Sequence, residues 1–267
     1  MVRTATEDNV FPIIPDLADK VFLVTGASSG IGAALARALG AQRARVAVHY
    51  FSGEEGARAV IADIENSGGQ AVALRGDLAQ IGAGELLVAA AVERFGRLDC
   101  LINNAGNVIK RIPLAEQSEA FFDEMINLNV RAVVAASRAA IPHFRRQGGG
   151  GNIISTSSVA ARTGGGPGAV LYGATKGFVS TFTRGLAKEL AGDRIRVNAV
   201  APGVILTPLH ERLSNEQQMR FMLAGVPMGR AGSSEECVGA YLYLASDTLS
   251  SYVTGQVIEV NGGQLTP

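Results

Sequence analysis

Cysteine and histidine are scarce in this 267-residue chain. Cys100 and Cys237 are its two cysteines, too few for a disulfide framework or, unaided, a zinc site. His49, His143 and His210 stand apart in the sequence, so no metal site is expected. Neither sign of charge dominates: 24 basic residues face 24 acidic ones, and no nucleic-acid partner is expected. No apolar run approaches the roughly 18 residues that a membrane span needs, so no membrane partner is expected either. The first twenty residues, MVRTATEDNVFPIIPDLADK, carry Glu7, Asp8 and Asp16 and lack the apolar stretch of a signal peptide. These absences point to a cytoplasmic, metal-independent protein.

Apolar residues and glycine are plentiful. Hydrophobic residues make up 47% of the chain and there are 33 glycines, which excludes intrinsic disorder and suits buried strands joined by tight turns. Strands are expected at Val21–Thr25, Arg45–His49, Ala71–Arg75, Cys100–Asn103, Ile153–Thr156, Ile195–Val200 and Gln256–Val260. Helical periods lie between them at Ile31–Leu39, Glu54–Asn66, Glu85–Phe95, Phe121–Arg145, Tyr172–Leu190 and Ser234–Ala245. Alternation of this kind builds parallel βαβ units. The expected fold class is therefore α/β, a single-domain, Rossmann-like, doubly wound parallel sheet of seven strands with helices on both faces. Gln147–Gly151 reads as a helix-to-strand turn rather than a linker. Residues 1–16, with Pro12 and Pro15, read as an N-terminal arm, and 17–267 as one catalytic domain.

The first strand runs into Thr25-Gly26-Ala27-Ser28-Ser29-Gly30-Ile31-Gly32 and then a helix. Glycines at such a turn let a diphosphate approach the backbone, and the helix N-terminus offers it free N–H groups and a favourable dipole. No Gly-Lys-Ser/Thr follows, so the turn is not a P-loop.

Together with Asn103-Asn104-Ala105-Gly106 after strand four and Tyr172-x3-Lys176, this turn resembles the short-chain dehydrogenase/reductase family, classical type. Asp77, Asn129, Ser158 and Pro202-Gly203 match further family positions, and the resemblance spans about Leu17 to Gly263. It implies an NAD(P)-dependent oxidoreductase that moves a hydride between nicotinamide and a ketone or secondary alcohol. Hydride transfer to a ketone requires a proton donor for the nascent alkoxide, and a tyrosine beside a cation can serve. By resemblance Tyr172 is the acid/base and Lys176 lowers its pKa and bonds the nicotinamide ribose. Ser158 orients the substrate oxygen, with Ser157 as its rival, and Asn129 holds a water behind Lys176, with Asn127 as competitor. Residues expected at the cofactor are Gly26, Ser28, Ser29, Gly30, Ile31, Gly32, Tyr50, Phe51, Ser52, Asp77, Leu78, Asn104, Ala105, Gly106, Tyr172, Lys176, Pro202, Gly203, Ile205 and Thr207.

Strand two ends Val48-His49-Tyr50-Phe51-Ser52, with Tyr50 where an NAD-selective enzyme would carry an acid. NADP(H) is favoured on that ground, NAD(H) being the alternative, and Ser52 or His49 would have to help with the 2′-phosphate. A substrate lid is expected over about 207–230, made soft and apolar by Met219, Phe221, Met222, Leu223 and Met228. The Arg162–Leu171 loop, one residue longer than is common in the family, should alter the pocket wall. The expected partner is a small carbonyl or alcohol substrate. A 3-oxoacyl-carrier-protein-reductase-like enzyme and a non-catalytic dinucleotide-binding regulator are the alternatives. Small residues along Phe121–Arg145 and Tyr172–Leu190, together with the Tyr252–Gly263 region, point to a homotetramer.

Overall fold

Seven short, apolar strands line up in parallel in the order β3-β2-β1-β4-β5-β6-β7. They are β1 (Val21–Val24), β2 (Arg45–Tyr50), β3 (Gln70–Arg75), β4 (Cys100–Asn103), β5 (Gly151–Thr156), β6 (Ile195–Pro202) and β7 (Val257–Val260). This computed structural model describes residues 11–207 and 216–266. The doubly wound α/β fold read from the sequence is the observed one, and every expected strand is present. β1 stops one residue early, at Val24, while β6 runs on to Pro202.

Period-two alternation sends successive strand residues into two separate cores. On one face Phe22, Val24, Val46, Val48, Ile102 and Ile154 meet Leu35 and Leu39 of α1 (Gly30–Ala41) and Val60 and Ile64 of α2 (Glu54–Asn66). On the other, Val21, Leu23, Leu101, Ile153 and Val197 meet Leu87 of α3 (Ala83–Phe95). Because both faces are covered, each such aliphatic side chain contributes roughly 1.5–3 kcal/mol by its burial.

The helical stretch expected over Phe121–Arg145 is three pieces. These are α4 (Glu119–Ile126), a π-helical turn over Asn127–Arg131, and α5 (Ala132–Gln147). A short α6 (Ala160–Thr163) and the long α7 (Val170–Leu190) follow β5, while α8 (Glu216–Ala224) and α9 (Ser234–Ala245) follow β6. Ser233 and Glu236 form a reciprocal capping box at the start of α9.

Residues 1–10 of the expected arm, residues 208–215 of the expected lid, and with them His210, lie outside the described residues. The rest of the arm is seated on the domain. Ile14 N donates to Gln42 Oε1 at 2.6 Å, and the Asp16 carboxylate accepts from Ser246 Oγ, Asp247 N and Thr248 N. No helix among the described residues is long and apolar enough to cross a membrane.

The strand order reverses between β1 and β4. In such sheets the crevice at the carboxyl ends of the two diverging strands is where ligands bind. A cleft of about 1350 Å³ opens there.

Candidate active site

The cleft floor is built by stitching the turn after β1 to the turn after β4. Thr25 Oγ1 accepts from Asn104 N and Ala105 N at 2.9 and 3.0 Å, and Asn104 Nδ2 donates back to Thr25 O and Gly26 O. Gly26 has φ +65°, and a Cβ there would stand 3.0 Å from Ala105 Cα, so only glycine fits. Its N–H donates to His49 Nδ1 at 2.9 Å, while His49 Nε2 lies 3.1 Å from Gly76 O. Since Nδ1 must accept, Nε2 carries the hydrogen and the ring is neutral. Burial, the largest influence, pushes the His49 pKa below its ordinary value.

Ser29 caps α1 without a side-chain bond, so the first N–H groups of a twelve-residue helix are left to the cleft. An uncapped helix start beside a turn that admits no Cβ fits a diphosphate. Along the cleft from that turn lie Phe51, Ser52 and Gly53 past β2, Asp77 and Leu78 past β3, and Asn104 to Gly106 past β4. These residues fit a dinucleotide.

At the other end α7 presents Tyr172 in its first turn and Lys176 one turn later, on the same face. Tyr172 and Ser158 line the cleft together. Burial pushes the Tyr172 pKa up, while the Ser158 hydroxyl and the charge of Arg111 pull it down. Lys176 is buried, its ammonium 5.7 Å from the centre of the Tyr172 ring, and Nζ donates to Thr156 O at 2.7 Å. Desolvation lowers its pKa to about 8.

Ser157, the rival of Ser158, is committed elsewhere. Its buried hydroxyl bonds Ser180 Oγ at 2.7 Å and Lys176 O at 3.1 Å. Asn129 and its competitor Asn127 separate as clearly. Asn129 is fully buried within the π-helical turn; its Oδ1 accepts from Asn107 N and its Nδ2 donates to Asn107 O. Asn127 Oδ1 accepts from Arg131 on the surface. A Cβ on Gly106 would lie 2.9 Å from both Asn129 Oδ1 and Lys176 Nζ, so this glycine is wedged between the two side chains.

The other expected site residues line the cleft, with two exceptions besides Asn129. Gly32 sits behind the turn, where a Cβ would meet Gly26 O at 2.3 Å. Tyr50, expected at the cofactor, is turned into the core with Val46 and Val48, because it shares their face of β2; Phe51 and Ser52 form the lip. His49, whose ring nitrogens are both engaged, has no donor left for a phosphate. Of the apolar lid residues, Phe221 and Met222 reach the cleft, alongside Gln217 and Gln218, while Met219, Leu223 and Met228 do not line it. Thr163, Gly165, Gly166, Pro167 and Ala169 of the Arg162–Leu171 loop form a wall of it, as expected.

Sequence reasoning missed Arg111 and Glu124, both of which line the cleft. Neither belongs to a spaced motif; Arg111 comes from the loop between β4 and α4 and Glu124 from α4 itself.

A family profile described as enoyl-(acyl carrier protein) reductase matches residues 26–264. A 3-oxoacyl-[acyl-carrier-protein] reductase of Synechocystis is 38% identical over 249 residues, 93% of this chain and 98% of that protein. The crystal structure of an NADH-dependent reductase, A1-R′, complexed with NAD is 36% identical, with a TM-score of 0.85 over 95% of this chain and 99% of that one. A short-chain dehydrogenase from Burkholderia cenocepacia in complex with NADP is 34% identical, with a TM-score of 0.87 over 93% and 99% of the two chains.

Proposed function

Since the chain belongs to the short-chain dehydrogenase/reductase family, and so is an NAD(P)-dependent oxidoreductase of ketones and secondary alcohols, we propose that Tyr172 moves the proton of its reaction. The observation that carries this reading is the convergence of Tyr172, Ser158 and Lys176 on one cleft, with the Lys176 ammonium 5.7 Å from the centre of the Tyr172 ring. When bound, the nicotinamide supplies or accepts a hydride. In reduction Tyr172 Oη gives its proton to the substrate oxygen, and in oxidation it takes that proton back. Ser158 Oγ donates to the same oxygen and fixes its position. Lys176 is a desolvated cation whose charge favours the phenolate and whose N–H groups suit ribose hydroxyls. Asn129 clamps Asn107 from both sides and keeps the loop after β4 against Lys176; the water behind the lysine is assigned to it.

The cofactor preference we propose is NADP(H). Phe51, Ser52 and Gly53 at the lip carry no carboxylate that would repel a 2′-phosphate. The reading also takes 1–16 as an arm, 17–267 as one catalytic domain and 207–230 as the substrate lid. A cytoplasmic homotetramer completes it. Phe178 of α7 stacks on Phe182 at 5.6 Å yet stays partly exposed, and Tyr252 is fully exposed, so both proposed two-fold faces offer aromatic surface. Light scattering tests the assembly, where the 27.7 kDa monomer mass would reject it.

The function is tested on a panel of ketones and secondary alcohols, followed by nicotinamide absorbance with NADPH/NADP+ and NADH/NAD+. Turnover of members of the panel is expected. Tight dinucleotide binding without turnover of any member would favour the non-catalytic regulator.

A further inference from the structure

Among the described residues, one cation of the cleft has no side-chain partner. Arg111 lines the cleft, and its Nε is buried without a hydrogen-bond partner. No ion pair or hydrogen bond to its guanidinium is made among the described residues, although Glu124 lines the same cleft. Arginine is a fork of five donors that cannot shed its charge, so in the cleft it is available to an anionic ligand.

The backbone is arranged to hold Arg111 there. Asn129 fixes both polar groups of Asn107, and Asn107 Oδ1 in turn accepts from Ile109 N at 2.8 Å. Ile109 has φ +59°, a strained value for a β-branched residue, and two residues later the chain delivers Arg111. Ile112 N then donates to Gly168 O at 3.0 Å, tying the segment to the glycine-rich loop between Ser158 and Tyr172. Gly168, at φ +72°, would bring a Cβ to within 3.2 Å of Arg111 Cβ. The position is thus enforced from both sides, by strain in one loop and by a required glycine in the other.

Arg111 is also at the reacting end. Its charge is felt at the Tyr172 phenol, and its Nη1 is the nearest atom to the space beside Gly166. The diphosphate-binding turn is built by other residues, around Gly26 and the start of α1, so the cofactor's phosphates do not account for it.

We propose that Arg111 binds a carboxylate of the substrate, and that the enzyme's substrates are oxo acids and the corresponding hydroxy acids. The planar fork matches a carboxylate bidentately, and the anion gives the buried Nε a partner while the carbonyl meets Tyr172 and Ser158. This rests on the dehydrogenase reading above and assigns its substrate class.

The test compares matched pairs: 3-oxobutanoate, 4-oxopentanoate and 5-oxohexanoate against their methyl esters, and D-gluconate against D-glucitol in oxidation. The wild type is expected to favour at least one acid over its neutral partner by about 10- to 100-fold in kcat/KM, carried mainly by KM. In Arg111→Gln that ratio collapses toward one, and Arg111→Lys retains part of it. The ratio cancels any effect of the substitution on Tyr172 that both substrates share. In parallel, 4-oxopentanoate is titrated calorimetrically into wild type and Arg111→Gln saturated with NADP+, a complex that cannot react, and binding is expected only in the wild type. Equal kcat/KM for acids and esters in the wild type, an unchanged ratio in Arg111→Gln, or a preference for dihydroxyacetone phosphate over every oxo acid would overturn the proposal, while leaving the dehydrogenase standing. Arg111-dependent binding without turnover of any substrate would keep the carboxylate site and reject the oxidoreductase role of Tyr172.

Discussion

Lys176 reaches past Tyr172 rather than to its hydroxyl: Nζ bonds Thr156 O at 2.7 Å and lies 5.7 Å from the tyrosine ring centre. The lysine is therefore not a direct hydrogen-bond donor to the phenol.

A buried ammonium should be visible in the stability of the protein. The folded-state pKa of about 8 lies below the ordinary lysine value, so unfolding takes up a proton between about pH 8 and 10.5. Stability contributed by this group consequently rises with pH across that window, by about 3 kcal/mol in all. Cofactor-free wild type is expected to gain on Lys176→Met in urea denaturation between pH 7 and 10.5. A constant difference between the two proteins would mean that the ammonium is solvated.

His49 gives the same sign at the acid side. Its pKa is depressed below 6.5 in the fold, so its stabilising contribution is complete above about pH 6.5 and is lost as pH falls through the folded value. Protonating Nδ1 also removes the acceptor for Gly26 N–H in the dinucleotide turn. Dinucleotide affinity is expected to fall with pH below 6.5 in the wild type and to be flatter in His49→Gln, read by fluorescence titration of the reduced cofactor. Identical pH profiles would detach this histidine from the turn.

Much of this was legible before folding. Strand–helix alternation located all seven strands because buried parallel strands are near-continuous apolar runs, and spacing singled out Tyr172 and Lys176 because residues four apart share a helix face. The π-helical turn at Asn127–Arg131 was not legible, since no residue type marks it. Tyr50 was misjudged because proximity to the strand end says nothing of which face a side chain takes; a count of two from Val48 would have placed it in the core. Arg111 reaches the cleft through pairing between two distant loops, which single-sequence patterns do not carry.

With Tyr50 in the core, cofactor choice is engineered at the lip instead. Ser52, on the lip, is expected to respond: Ser52→Arg should raise the NADP(H)/NAD(H) ratio of kcat/KM by about tenfold, and Ser52→Asp should lower it similarly. Tyr50→Asp would instead bury a carboxylate beside Val46 and Val48 and cost about 3 kcal/mol or more of stability. Steady-state kinetics with both cofactors and thermal melts check the two halves. Unchanged ratios in both Ser52 variants would move the 2′-position away from the lip.

Gly106 separates Asn129 from Lys176, and a methyl group there must displace one of them. The flexible lysine yields more easily than the clamped asparagine. Gly106→Ala is expected to lower kcat about tenfold or more while costing about 1–3 kcal/mol of stability. Full activity in that variant would mean that the position of Lys176 is immaterial.

The proposed proton transfer turns on one oxygen atom, Tyr172 Oη. Tyr172→Phe removes the phenol hydroxyl and nothing else, leaving Lys176, Ser158 and the dinucleotide turn in place. Single-turnover hydride transfer on a ketone that the wild type reduces is the direct measurement, with the dissociation constant of the reduced cofactor taken on the same samples. The expected result is a rate lower by about 10²–10⁴ with cofactor affinity within about twofold. A rate within about threefold of the wild type would contradict the assignment of Tyr172 as the acid/base.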